Sequence, residues 1–96
     1  MDKSPRQPDG LISVLLDIAA PLGDRDDAAM DLGAFDEPAA EQALLKIVTT
    51  HSEDEDLIDT AGESLWEIWN RQGKFDAALV AQMHREAQKF FENRSA

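Results

Sequence analysis

Apolar residues recur at helical spacing along nearly the whole chain. From Gly10 onward they fall three and four residues apart, with no β-branched runs and with Pro and Gly as punctuation. Five helices are predicted. The first runs from about Gly10 to Ala20, with Asp9 as N-cap, Pro21 as stop, and Leu11, Val14, Leu15 and Ile18 on one face. The second spans roughly Asp24 to Leu32, with Ala28, Ala29 and Leu32 inward and Gly33 at its C-terminal end.

The third spans about Glu37 to Thr50. Asp36 is its expected cap, Pro38 is tolerated in the first turn, and Ala40, Ala43, Leu44, Ile47 and Val48 form the buried stripe. The fourth runs from about Glu53 to Arg71. Ser52 stands three residues before Glu55, the spacing of a capping box, and the acidic first turn suits the helix dipole. The fifth covers about Asp76 to Asn93, with Leu79, Met83, Ala87 and Phe90 or Phe91 facing the core. The expected fold is all-α: about five short helices in antiparallel pairs. Residues 1–9, polar and carrying two prolines, are expected to be a loose tail before a single helical domain over 10–96.

The helices repeat. Ala28-Ala29-x-x-Leu32 matches Ala61-Gly62-x-x-Leu65 at an offset of 33, and Gln42-Ala43-Leu44 aligns with Ala77-Ala78-Leu79 at an offset of 35. A period of this size, built from helix pairs, marks an α-solenoid. The segment DRDDAAMDLGAFDEPAAEQALLKIV resembles a HEAT-like repeat: an Asp-rich turn, a helix bearing Ala-Ala-x-x-Leu, a short loop, and a second helix with paired leucines. DLIDTAGESLWEIWNRQGKFDAALVAQM resembles a second copy, so the likeness covers Asp24 to Met83. The family usually carries a buried Arg or Asn in the first helix of a repeat; here the chain departs from that pattern, since Arg25 comes too early for that place and Asp31 and Asp59 sit nearby instead. The resemblance implies a HEAT-like α-solenoid fragment that binds proteins along one face. It also implies that the first helix is the unpaired half of a preceding repeat.

Charge sharpens the expectation about partners. Of 20 acidic residues, 15 lie between Asp17 and Glu67, opposed only by Arg25 and Lys46. The first sixteen residues balance to zero and the last twenty-nine come to +2, within a chain total of −11. Such a field repels nucleic acid and anionic membrane and attracts basic protein surfaces. Arg85, Lys89 and Arg94 beside Phe90 and Phe91 read as a solvated face over core aromatics rather than a nucleic-acid site. The apolar stretch from Leu11 to Ala20 is about half the length of a membrane span. Cysteine is absent, which removes thiolate chemistry and fits a reducing compartment, so the expected location is the cytoplasm.

No catalytic constellation emerges. Neither acidic run fits an EF-hand register: starting at Asp24, Ala28 takes a ligand position and Ala29 the glycine position, and starting at Asp54, Ile58 and Asp59 take those places. The histidines read as isolated: His51 ends the third helix, and His84 lacks a second nitrogen ligand at helical spacing. No phosphate loop or nucleophile motif is present. We therefore expect no enzyme, no cofactor and no metal.

The candidate partner-binding residues lie on the second and fourth helices. Trp66 falls roughly 110° from the centre of the fourth helix's apolar side, framed by Asp59, Glu63 and Asn70 and continuing to Asp54, Glu55 and Asp56. Two roles suit it, a core side chain or an interface anchor; Trp69 reads as core. Asp24, Asp26, Asp27 and Asp31 form a second acidic cluster on the equivalent helix. Stacked repeats set equivalent helices side by side, so both clusters are expected to merge into one patch. Small, acidic, helical, cysteine-free chains look like several immunity-protein families of contact-dependent bacterial competition. That likeness implies a module that neutralises a nuclease toxin by filling its basic cleft. The alternative is a small chaperone or regulatory subunit masking a basic segment of its partner.

Overall fold

A computed structural model of the chain describes residues 7–92. Among them every regular element is helical: α1 (Asp9–Leu16), α2 (Leu22–Leu32), α3 (Pro38–Val48), α4 (Glu55–Gln72), α5 (Ala77–Gln82) and α6 (Arg85–Gln88). The predicted tail lies outside the described residues over 1–6. Residues 7–9 already belong to the fold, since Pro8 is buried and the Gln7 side chain accepts from the Leu11 N–H.

The helices pair in a different order from the expected hairpins. α1 packs on α2 and α3 packs on α4, whereas α2 makes only slight contact with α3; the expected packing of α4 with the segment after it comes from α6. α2 and α4 lie directly against one another, α1 touches α3, and α6 packs on α4. The equivalent stripes Ala28, Ala29, Leu32 and Ala61, Gly62, Leu65 are all buried at this contact or beside it. The second half of the sequence repeat does not hold: Ala43 and Leu44 are buried, whereas Ala77 and Ala78 are exposed and Leu79 only half-buried.

The core draws on every helix but α5. All five predicted positions of α3 are buried, as are Leu57, Ile58, Ala61, Leu65, Ile68 and Trp69 of α4. Trp69 meets Phe91 edge-to-face at 5.2 Å, and its Nε1–H donates to Glu41 Oε2 at 2.7 Å. This satisfies the one polar atom such a ring brings into a core.

Several helix ends differ from the sequence expectation. Asp9 begins α1 instead of capping it, and Pro8 holds the cap position. α1 stops at Leu16 because Asp17 turns extended and its carboxylate accepts from the Ala19 N–H, an Asx turn that competes with the helix. Ile18, expected inward, is in consequence 84% exposed. At α3 the N-cap is Glu37, without a side-chain bond, while Asp36 pairs with Arg71. At α4 the cap is Asp54, whose carboxylate accepts from Asp56 and Leu57 N–H, so the Ser52–Glu55 box does not form. α4 ends at Gly73 in the left-handed region, φ 66°, a conformation glycine adopts without steric cost.

The predicted fifth helix is two. Met83 and His84 are extended, and the His84 N–H leaves the helix to bond Val48 O at 2.8 Å. His84 Nδ1 then caps α6 by accepting from the Glu86 N–H. The kink brings α6 against α4 so closely that a Cβ on Gly62 would lie 2.8 Å from both Cα and Cβ of Ala87.

Arg25 ties these parts together. It is 5% exposed, donates Nε–H to Leu15 O at 2.9 Å, and makes a two-pronged pair with Glu53 at 2.8 and 3.2 Å. One guanidinium thus joins the end of α1, the start of α2 and the loop before α4. Glu53, expected as the first residue of the fourth helix, sits instead in that loop.

A candidate protein-binding face

Because α2 and α4 lie side by side, their exposed flanks form two neighbouring grooves. Near the helix starts, a groove of about 440 Å³ is lined by Asp26 of α2 and by Asp54, Asp56, Asp59 and Thr60 on the α4 side, over Leu22 and Leu57. Thr60 Oγ1 donates to Asp26 Oδ1 at 2.6 Å, bridging the two helices within the groove. Further along, a groove of about 640 Å³ is lined by Met30, Asp31, Gly33 and Ala34 from one side, and by Trp66, Glu67, Asn70 and Arg71 from the other. Trp66 is half-buried: it packs against the core on one side and lines this groove on the other.

The candidate residues are thus divided. Asp26, Asp54, Asp56 and Asp59 meet in the first groove, and Asp31, Trp66 and Asn70 in the second. Asp24 and Asp27 line neither. With Asp31 they form a row that borders a separate groove of about 280 Å³ between α1 and α2, floored by Leu11, Val14 and Ala28. The helical repeat accounts for this: residues 24, 27 and 31 share one side of α2, and residue 26 points about 160–200° away from residues 24 and 28. Asp31 borders both faces. Glu63 is exposed and lines neither groove, and Glu55 stands beside His84, 3.8 Å from Nε2.

The grooves differ in how their carboxylates are met. Asp59 pairs with Lys89 Nζ at 3.1 Å, and the same ammonium bonds Glu86 at 3.1 Å while lying over the Phe90 ring. The hydrogen bond from Lys89, and then its charge, hold the Glu86 carboxyl below its ordinary value. The bonds to Glu86 and Asp59 hold Lys89 above its ordinary value. In the second groove, Asp31 and Glu67 make no side-chain hydrogen bond or ion pair among the described residues. Arg71 is already engaged, donating to Asp36 at 2.8 and 3.0 Å and to Gly33 O at 3.0 Å.

Two features escape the sequence reading. Glu67 and Met30 line the second groove, yet only the register between α2 and α4 brings them together. Gly33 is helical, with φ −60°, and serves by its size: a Cβ there would lie 2.7 Å from Glu67 Oε1 and 3.0 Å from Ser64 Oγ. The histidines are not isolated either. Their rings lie 5.4 Å apart, and His51 Nε2 is 3.0 Å from Gln82 O. Among the described residues no group of three or more His, Cys, Asp or Glu is arranged to hold a metal ion. No helix there is long and apolar enough to cross a membrane.

No family model, curated protein or solved structure matches this chain.

Proposed function

We propose that this chain is an acidic protein-binding module that docks on a basic site of a partner protein. We further propose that the partner is a nuclease-type toxin, which the chain neutralises as an immunity protein in the cytoplasm. One observation carries the reading: carboxylates from two different helices, Asp26 of α2 and Asp54, Asp56 and Asp59 at the start of α4, line a single groove. A row of fixed negative charges offers a basic cleft what the phosphates of a nucleic acid offer it. A module that fills the cleft excludes the substrate without performing chemistry, so the proposed action is stoichiometric binding and not catalysis. The side-by-side arrangement of α2 and α4 fits the HEAT-like resemblance, in which equivalent helices form a continuous face.

The chain's own charge supplies the test. Exposed charges act over about 8 Å at physiological ionic strength and less at higher salt. Immobilised chain should capture a basic protein from native lysate at low salt and release it early in a salt gradient. Co-expression with that protein should rescue growth if the partner is a toxin. Capture of a secretion or assembly component would favour the chaperone reading instead. Recovery of no basic partner at low salt would contradict both.

A further inference from the structure

We propose that the groove around Trp66 is an arginine subsite, in which a guanidinium from a partner protein stacks on the indole and pairs with Asp31 and Glu67. The inference rests on the reading that this face docks a basic protein, and it names the side chain that the second groove takes.

Three observations support it. First, the groove contains two carboxylates, Asp31 and Glu67, that make no side-chain pair among the described residues, while Arg71, the cation among the described residues that lines it, is bonded to Asp36 and Gly33 O. Second, Trp66 presents a half-buried aromatic surface between the two helices, and Met30, 58% exposed, adds a polarizable apolar wall. Third, Gly33 leaves room for the Glu67 carboxylate to lie across α2, where any Cβ would displace it.

A flat aromatic surface flanked by unpaired carboxylates suits a planar, weakly hydrated cation. Guanidinium stacks on aromatic faces and offers paired N–H donors to carboxylates. An ammonium is a compact, strongly hydrated point charge that gains less from a ring. The methylene stem of the arginine would lie along Met30.

The test uses the intact ¹⁵N-labelled chain, whose two tryptophans give two indole N–H resonances, assigned with Trp66→Phe. The probes are the N-acetyl, N-methylamide derivatives of arginine, lysine and citrulline. The arginine probe should shift the Trp66 resonance saturably and leave that of buried Trp69 in place. The lysine probe should bind about threefold more weakly or worse, and citrulline, which lacks the charge, should not saturate. E67Q and D31N should each weaken arginine binding about fivefold; both positions are exposed, so the fold should persist. An unmoved Trp66 resonance, equal response to all three probes, or no effect of E67Q and D31N would overturn the subsite. A partner that docks while the groove stays silent sinks the subsite and leaves the docking reading intact. Saturation by arginine in a chain for which no basic partner can be recovered does the reverse.

Discussion

Replacing Arg25 with methionine should remove a large share of the stability of this domain. Methionine keeps most of the stem volume and deletes the guanidinium. Three bonds go with it: one to Leu15 O and two to Glu53, whose side chain is only 16% exposed. Breaking a buried pair by removing one member costs about 3–5 kcal/mol, because the remaining charge loses its partner without regaining water. A domain of 96 residues is stable by about 5–14 kcal/mol, so R25M should bring the chain close to unfolding. The comparison is R71M. Arg71 and Asp36 are 42% and 60% exposed, and such a pair contributes about 0–1 kcal/mol. The double substitution R25M/E53M should recover part of the loss, since no orphaned carboxylate remains. Urea unfolding followed by helical circular dichroism measures all three. If R25M costs less than about 1 kcal/mol, or no more than R71M, then Arg25 does not hold α1, α2 and the loop before α4 together.

Other substitutions probe the helix ends and contacts. Asp54→Ala should cost about 1 kcal/mol in the same assay, whereas Ser52→Ala should change stability by less than about 0.5 kcal/mol; equal effects would mean that the cap is misassigned. Gly62→Ala should destabilise by about 1–3 kcal/mol, since its Cβ meets the α6 backbone at 2.8 Å, whereas Gly23→Ala, with nothing within 4 Å, should be neutral or stabilising. In a carboxyl NMR titration Glu86 should lose its proton at lower pH than a free glutamate, and Lys89→Met should move that midpoint upward. The sign follows from linkage: a depressed carboxyl contributes stability above its unfolded value and loses it as pH falls through the folded one. Lys89, raised, contributes below its unfolded value and loses that contribution as pH rises through the folded one.

The buried faces were legible in the sequence because they obey the helical period. Ala40, Ala43, Leu44, Ile47 and Val48 needed nothing beyond spacing, and the adjacency of α2 and α4 followed from the shared stripe at 28–32 and 61–65. Features set by contacts between distant segments were not legible. No proline or glycine marks the break at Met83 and His84; a bond to Val48 O and the imidazole cap produce it. Val14 and Ile18 match the apolar period of α1, but a local Asx turn at Asp17 ends the helix before the second of them. The order in which helices pair left no trace in the repeat, because stripes of small residues and leucines on α2 and α3 suit either neighbour equally.

The candidate face was legible in composition and not in geometry. A sum of charges identifies α2 and the start of α4, yet only the register separates Asp26, which joins the α4 carboxylates, from Asp24 and Asp27, which face α1. Trp66 resolves as a half-buried side chain that packs against the core and also lines the second groove, a position that spacing along α4 did not settle.

The central claim is that carboxylates of α2 and α4 act as one docking site. It is tested most directly by the affinity of the co-purified basic partner for a chain carrying D26N, D54N, D56N and D59N, measured by calorimetry across a salt series. Asparagine keeps the α4 cap and can still accept from Thr60, so the fold should survive. A large loss of affinity and a flattened dependence on salt are expected, with D24N and D27N having much smaller effects. Affinity and salt dependence unchanged in the fourfold variant would contradict it.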